Sequence, residues 1–364
     1  MITARHRLLV GLLASVLAAC TSAATPTPTQ APATPAATAA GSAGPSAAPD
    51  GTLPKPEVSS LTIGGAVQEP SQFAAKLAQM MGYFDKYGLK VDFVTTEGEA
   101  NTVAALFAGA VQLATAGGGN SLNSLLTDNP IRHFGLAKVK VIDGLFCNQD
   151  IKTAEDLKGK VVAISSLGGV PHASVLLALE ALKMQPSDIQ TTNVGSQATR
   201  LAALKSGAVA CAPIGMDLEG ELKGLGFNVL VDLSKTDLEY PSNGPFSTVT
   251  WLDAHPNTAL VVLAAMLEAQ NLMFTKPAEA AAKWAEFAQV DIADSQTRFI
   301  VDVPKQLNRS FWYKDSAFEF PQKVIAIVNP AIATVDAKKA HTREFLQKLI
   351  DIGFYDKIGS PRPN

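Results

Sequence analysis

The sequence predicts an α/β fold of two lobes, each a mainly parallel sheet flanked by helices, with a ligand cleft between the lobes. The segment AALFAGAVQLA at residues 104–114 returns as AALKSGAVACA at residues 202–212, and strand–loop–helix patterns recur around both copies. Such alternation is typical of mainly parallel sheets. The two copies are 98 residues apart. That spacing exceeds the period of solenoid repeats, about 20–50 residues, and fits one copy in each lobe.

Each copy predicts the same local structure. Residues 102–108 and 200–206 are rich in Ala and Leu, which favour a helix. Gly109 and Gly207 follow, where a helix C-cap needs the left-handed conformation. The short apolar run after each glycine has the length of a strand buried on both faces. The repeated unit is therefore predicted to be a helix, a glycine turn and a buried strand.

The elements outside the repeat alternate in type. In the first half of the chain we predict strands at residues 61–67, 90–95 and 134–146 and a helix at residues 71–81. The pattern then restarts with a helix at residues 152–158, a strand at 161–165, a helix at 172–183 and a strand at 227–233. Predicted helices dominate the C-terminal part and lie at residues 258–274, 278–289 and 341–349. The apolar run at residues 259–267 is too short to span a bilayer, so we predict a buried helix there.

The N-terminus predicts export. Arg5 and Arg7 precede an uncharged apolar run, which indicates a signal peptide over residues 1–19. The sequence LAAC at residues 17–20 resembles a bacterial lipobox, in which the cysteine is lipidated, so Cys20 is the predicted anchor.

A tether is predicted to follow the anchor. Residues 21–49 contain no charged or aromatic side chain and consist largely of Ala, Pro, Thr, Ser and Gly. Such a composition buries too little apolar surface to offset the entropy of ordering. We therefore predict a disordered tether over residues 20–57.

Composition and cysteine spacing exclude several function classes. Charged residues make up 17% of the chain and the net charge is −3, which argues against a nucleic-acid partner. With Cys20 lipidated, Cys147 and Cys211 remain, either as a disulfide or as two buried thiols. Neither fits a metal-ligand spacing, and no Gly-Lys-Ser follows the three glycines at 117–119. We predict no metal and no cofactor.

The loops that lead into the predicted helices are rich in Gly, Ser, Asn and Gln. Loops of this kind follow the carboxyl ends of strands, where α/β sheets bind ligands. They also expose backbone N–H groups at helix N-termini. The predicted ligand-binding residues are Gln68, Gly98, Glu99, Gly118, Asn120, Ser166, Gly168, Gly169, His172, Gln197 and Asp217.

The chain resembles the extracytoplasmic solute-binding proteins of ABC importers, in the nitrate, sulfonate, taurine and thiamine-precursor group. The resemblance rests on GYFDKYGLKVDFV at residues 82–94, VAALFAGAVQLATAG at 103–117, IKTAEDLKGKVVAISSLGG at 151–169, AALKSGAVACAP at 202–213 and WLDAHPN at 251–257. It implies the type 2 fold of periplasmic binding proteins and closure of two lobes on a small polar solute. It also implies a monomer without catalytic residues, held at the extracytoplasmic face of a membrane. The implied partners are a membrane permease and, through it, an ATPase.

The same resemblance implies a division of the chain. Lobe 1 is expected at residues 58–145 and 246–364, and lobe 2 at residues 146–245. The two crossings between the lobes are expected near residues 142–147 and 240–246.

Three alternatives stay open at this stage. An enzyme is one, because a eukaryotic branch of the family makes the thiamine pyrimidine, although the cysteine cluster of that branch is missing from this sequence. A sensor module is another. The third concerns the solute, which is either an oxyanion or a neutral or cationic compound. Acidic side chains in the candidate loops, Glu97 and Glu99 among them, favour a neutral or cationic compound.

Overall fold

A computed structural model describes residues 50–363, except residues 68–69, 166, 168 and 237–238. The predicted signal peptide, Cys20 and residues 20–49 of the predicted tether lie outside the described residues. The same holds for three predicted ligand-binding residues, Gln68, Ser166 and Gly168.

The strands belong to two sheets. In chain order they are β1 Ser60–Gly65, β2 Lys90–Thr95, β3 Leu113–Ala116, β4 Ile131–His133, β5 Lys138–Lys140, β6 Asp143–Cys147, β7 Val161–Ile164, β8 Gln190–Asn193, β9 Cys211–Gly215, β10 Asn228–Asp232 and β11 Glu239–Thr248.

Helices flank both sheets. They are α1 Ala74–Met80, α2 Tyr83–Lys86, α3 Glu99–Phe107, α4 Gly119–Ser124, α5 Ala154–Leu157, α6 Val170–Ala181, α7 Gln197–Lys205, α8 Glu219–Gly224, α9 Val249–Ala254, α10 Pro256–Thr275, α11 Pro277–Ala288, α12 Ile292–Val301, α13 Val303–Gln306, α14 Glu319–Ala326, α15 Glu344–Asp351 and α16 Phe354–Lys357. Short 3₁₀ turns lie at Pro70–Gln72, Pro186–Asp188, Met216–Leu218, Leu233–Lys235, Asp315–Phe318, Pro330–Thr334 and Ala337–Ala340.

The two sheets repeat one topology. The first has the order β2-β1-β3-β11-β4, with β5 also paired to β11, and the second has the order β10-β6-β9-β7-β8. In each, the first strand of a βαβαβ unit lies between the second and third and runs parallel to both. An antiparallel strand then pairs with the third, β11 with β3 and β6 with β9. The predicted α/β fold with one repeat copy per sheet is confirmed.

The repeated unit has the predicted helix, glycine turn and strand. Gly109 has a φ of 72° and Gly207 a φ of 73°, the left-handed conformation of a C-cap glycine. The residue after each glycine donates its N–H to a carbonyl in the last turn of the helix. Ala110 donates to the Ala105 carbonyl and Ala208 to the Ala203 carbonyl, each at 3.0 Å. Because these turns occupy the residues after each glycine, β3 and β9 both begin four residues beyond it.

The predicted strand at residues 134–146 is wrong as a single element. Residues 136 and 137 bond instead to the loop before α14, where the Leu136 N–H donates to the Phe311 carbonyl and the Ala137 carbonyl accepts from the Asn308 N–H. The chain leaves the first sheet after β5 and enters the second at β6, so it crosses at residues 141–142. It returns between β10 and β11. The return therefore precedes the expected range of 240–246, which lies within β11.

The core of the first sheet is built on α10. Most residues of this helix are buried, and they pack against β1, β3 and α1. By length and composition α10 could cross a membrane, but 83% of its most apolar window is buried inside the protein. The prediction of a buried helix is confirmed.

The segment before β1 is not a free tether. The Gly51 N–H donates to the Ile352 carbonyl at 2.6 Å, and Leu53 and Val58 pack against the core of the first sheet. Glu57 binds the N-terminus of α10. The predicted tether is therefore wrong for residues 50–57, because Leu53 and Glu57 give this segment an apolar and a capping contact.

Cys147 and Cys211 form a disulfide in the second sheet. They are directly opposite each other on the antiparallel strands β6 and β9, and both side chains are fully buried. The bond links the strand that enters the second lobe to the third strand of its repeated unit.

Candidate functional site

A cavity of about 160 Å³, here called the central cavity, lies at the junction of the two sheets. Its lining residues come from both sheets and from the strands next to the crossings. They are Gln72, Glu99, Lys138, Lys140, Val141, Ile142, Asp143, Val170, Ser242 and Asn243.

The topology explains why these side chains meet. Gln72 lies in the connection after β1, Glu99 opens α3 after β2, and Val170 opens α6 after β7. All three connections follow the carboxyl ends of parallel strands, where such sheets bind ligands. The crossing residues Val141 and Ile142 line the same space. The cavity is therefore bounded by both lobes and by the chain that joins them.

Glu99 is the carboxylate of the first lobe at this cavity. One carboxylate oxygen accepts the Gly117 N–H at 3.0 Å, and the other accepts from Asn120 Nδ2 at 3.1 Å. The Asn120 amide also donates to the Gly117 carbonyl at 3.0 Å. Gly98 precedes Glu99 with a φ of 88°, a conformation that glycine adopts without strain. The α3 entry thus holds the carboxylate in one orientation.

The pKa of Glu99 lies above its ordinary value. Burial is the main cause and raises it, while the hydrogen bonds from Gly117 and Asn120 lower it less. Among the described residues, no lysine or arginine contributes to the pKa of this carboxyl. The cavity therefore presents a carboxylate to which the described residues give hydrogen bonds but no cationic partner.

The second copy of the repeat builds the same contact with an uncharged side chain. Gln197, 98 residues after Glu99, opens α7, and its side-chain oxygen accepts the Gly215 N–H at 3.1 Å. Gly215 is likewise 98 residues after Gly117. Both contacts fix the end of the third strand to the start of the preceding helix. Gln197 is exposed and is not among the residues that line the central cavity.

The second lobe contributes Asp143 and, behind it, Arg200. An Asp143 carboxylate oxygen accepts from Ser174 Oγ at 2.6 Å. The buried Arg200 donates to the carbonyls of Pro213 and Gly195. Burial lowers the pKa of Arg200 and the charge of Asp143 raises it. Asp143 therefore has a buried cation nearby, unlike Glu99.

A larger space of about 620 Å³, here called the lateral groove, adjoins the central cavity and shares Lys140 and Ile142 with it. Its other described walls are the ends of β9 and β10 and the α12–α13 region. Among its described lining residues, the first sheet contributes only Lys140 at the end of β5, and no connection that follows a parallel strand of that sheet. We take the central cavity as the candidate ligand site, because connections that follow parallel strands of both sheets converge there.

The structure distributes the predicted site residues over several places. Of these residues, Glu99 alone is among the described residues that line the central cavity, and Asn120 orients it. Asp217 lines the lateral groove. Gly169 caps α6, and His172 is buried on the same helix, where burial lowers its pKa.

Gly118 has a packing role. Its N–H donates to the Pro241 carbonyl at 2.8 Å, and a side chain at this position would collide with Pro241 and Phe318. Close packing against β11 therefore explains the glycine.

Sequence reasoning did not single out the cavity residues on β5, β6 and β11. Lys138, Asp143 and Asn243 belong to this group. The signal that could have found them was the expected pair of crossings, because the floor of a cleft between two lobes is made by the chain that joins them.

One contact resembles a catalytic pair. Ser121 Oγ and His133 Nδ1 share a short hydrogen bond, and His133 Nε2 lies 3.1 Å from the Ala116 carbonyl oxygen. Both side chains are fully buried, so no substrate reaches them. Among the residues that the structure describes, no group of His, Cys, Asp and Glu could hold a metal ion.

The comparisons with known proteins agree with this geometry. The family model described as NMT1/THI5 like matches residues 71–280, more than half of the chain. The periplasmic nitrate-binding protein NrtA from Synechocystis PCC 6803 has a TM-score of 0.64 at 16% identity, covering 84% of this chain and 92% of its own. The periplasmic aliphatic sulphonate-binding protein SsuA from Escherichia coli has a TM-score of 0.60 at 18% identity, covering 78% and 92%.

An enzyme has the same fold. The desulfurization enzyme DSZB has a TM-score of 0.57 at 17% identity, covering 80% of this chain and 99% of its own. A comparison with curated proteins found no match. At these identities the structural likeness shows the fold alone, which is the two-lobed fold of periplasmic binding proteins.

Proposed function

Because the chain belongs to the NMT1/THI5-like family, we propose that it is an extracytoplasmic solute-binding protein that delivers a small polar solute to the permease of an ABC importer. The central cavity is the observation that carries the proposal, because both lobes and the chain between them line it. Two structural neighbours are named as periplasmic binding proteins. Their names support the functional class by analogy.

The geometry supplies a mechanism for capture. A solute in the central cavity contacts Glu99 of the first lobe and Val170 or Asp143 of the second. A ligand that touches both lobes at once favours the closed arrangement, since it gains those contacts only when the lobes approach. A permease can then distinguish the loaded form from the empty form by its shape. The implied partners are the solute, the permease and, indirectly, its ATPase, with the protein acting as a monomer.

A role in binding rather than catalysis is favoured by the cavity lining. Its described polar groups are carboxylates, lysines, amides and one hydroxyl, and Ser242 Oγ donates to the Lys140 carbonyl rather than to a base. The hydroxyl–histidine pair of Ser121 and His133 is buried elsewhere. The enzyme alternative keeps one supporting observation, which is the shared fold of DSZB.

Uptake in cells tests the function and the predicted anchor together. Deleting the gene should abolish depletion of one small solute from the medium, and the wild-type gene should restore it. Cys20→Ala should lose labelling by palmitate and lower uptake, because the unanchored protein diffuses away from the permease. Labelling that persists in Cys20→Ala would show that the anchor is elsewhere. Unchanged uptake of every medium component after deletion would contradict the transport role.

A further inference from the structure

We propose that the solute carries a cationic nitrogen group that binds against the Glu99 carboxylate in the central cavity. This inference rests on the proposed function and names its substrate class. It separates the chain from structural neighbours named for the anions nitrate and sulphonate.

The carboxylate of Glu99 is held in place but not neutralised by the described residues. The Gly117 N–H and the Asn120 amide each donate to one of its oxygens. A carboxylate accepts about four hydrogen bonds, so acceptor capacity remains on the cavity side. A buried charge is stable when it has both hydrogen bonds and an opposite charge. The described protein groups supply the first, and a cationic ligand would supply the second.

The other charges of the cavity are accounted for differently. Asp143 has Ser174 and the nearby Arg200. Lys138 and Lys140 extend from β5, and neither contributes to the pKa of Glu99. Lys140 is exposed, where water screens its charge. The Glu99 carboxylate of the first lobe therefore favours a cationic group at that end of the cavity.

The repeat provides an internal comparison. Gln197 makes the same contact with an amide oxygen in the second lobe. An amide is thus sufficient to fix the strand end, and the fold does not require a carboxylate for that contact. The negative charge of Glu99 is additional to the structural role, and it stands at the copy that faces the cavity.

The size of the cavity limits the solute. A cavity of about 150 Å³ holds one benzene ring, and the central cavity has about 160 Å³. An amine or amidine built on a single small ring therefore suits this cavity. An oxyanion of the same size would meet the Glu99 carboxylate at short range in this partly enclosed space, where like charges repel.

Two compounds of matched shape test the class. Benzamidine and benzoate differ mainly in the sign of their charge. We expect benzamidine to raise the melting temperature of the purified full chain in a concentration-dependent way, because a ligand of the folded state stabilises it. Benzoate, benzenesulfonate and nitrate should leave it unchanged. This contrast uses the wild-type protein and does not depend on whether a variant folds.

Glu99→Gln tests the residue. It places in the first copy the side chain that the second copy already uses, so the contact with Gly117 should persist. The variant should bind benzamidine at least about tenfold more weakly, since the ion pair between the ligand and the carboxylate is lost. Glu97→Gln is the matched control, because it removes an exposed carboxylate two residues away and should bind benzamidine like the wild type.

The outcomes separate this inference from the proposed function. Stabilisation by nitrate, benzoate or benzenesulfonate would overturn the cationic class while supporting solute binding. Unchanged benzamidine affinity in Glu99→Gln would overturn the assignment to Glu99. If none of the compounds binds, the cationic class is wrong for a ligand of this size. Uptake after gene deletion then still decides the transport role, because that experiment follows every component of the medium, whatever the solute is.

Discussion

At the scale of single residues, two buried histidines are the least expected feature of the first lobe. Burial lowers the pKa of His133 to about 4, against the opposing hydrogen bond to the Ala116 carbonyl. Burial also lowers the pKa of His341 to about 4. Both ring nitrogens of His341 lack a hydrogen-bond partner among the described residues, and the ring stacks on Phe318 with centroids 4.5 Å apart. His341 therefore behaves as an aromatic core residue that can acquire a charge.

These histidines predict a loss of stability in mild acid. Between their unfolded pKa of 6.5 and their folded pKa of about 4, the unfolded chain binds protons that the folded chain does not. Stability is therefore lost as the pH falls through this window. Each histidine should cost about 2 kcal/mol on going from about pH 7.5 to about pH 5. Urea unfolding at the two pH values measures the loss.

His341→Phe tests the assignment. The substitution keeps the stacking on Phe318 and the edge contact with Tyr313 and removes one titrating group. The acid-dependent loss of unfolding free energy should fall by about 2 kcal/mol, the share expected of this one histidine. A loss equal to that of the wild type would show that His341 is not responsible.

At the scale of elements, the repeat shows what sequence could predict and what it could not. β2 was predicted at its observed bounds, because its β-branched residues lie between turn signals. The paired glycines predicted both helix ends, because the left-handed conformation is a local requirement. The contact of Glu99 with Gly117 spans 18 residues and depends on how the helix packs against the strand. No local pattern encodes that packing, so the prediction found Glu99 but not its contact with Gly117. The cavity floor was missed for the same reason.

The N-terminus of α10 illustrates a cap that local sequence does not reveal. His255 precedes the helix and makes no side-chain cap hydrogen bond. Glu57, about 200 residues earlier, accepts the N–H groups of Asn257 and Thr258 at 2.8 and 2.6 Å and also the Thr258 hydroxyl. Burial raises the pKa of Glu57, but these hydrogen bonds together lower it by more. The pKa of Glu57 therefore lies below its ordinary value. The carboxylate is thus both a cap and a favourable charge at the helix dipole.

Loss of this cap should destabilise the protein. Glu57→Ala is expected to lower the free energy of unfolding by about 1 kcal/mol, the typical value for an N-cap. Chemical denaturation followed by circular dichroism measures the change. Glu180→Ala removes an exposed carboxylate on α6 and should change stability by less than about 0.5 kcal/mol. Equal effects of the two substitutions would contradict the capping role.

At the scale of the whole molecule, the two lobes have separate cores but remain in contact beyond the crossings. Leu145, Val162 and Leu179 belong to the core of the second lobe. Val324 of α14 belongs to that same core, although α14 follows the return to the first sheet. α14 also contacts α4 of the first lobe. The expected division, with residues 246–364 wholly in lobe 1, is therefore too simple for α14, which adds a packing contact to the two covalent crossings.

Closure of the lobes is testable with a cross-link over the central cavity. Gln72 and Val170 line it from opposite lobes, so the pair Gln72→Cys and Val170→Cys can form a disulfide only when their backbones approach to about 7 Å or less. If capture and release require the lobes to open and close, the oxidised double variant should lose uptake, and mild reduction should restore it.

The native Cys147–Cys211 bond is fully buried, so a mild reductant should reach the engineered bond first. Each single cysteine variant controls for damage to the cavity itself and should transport regardless of oxidation. Transport by the oxidised double variant at the wild-type rate would show that the lobes need not separate during the cycle.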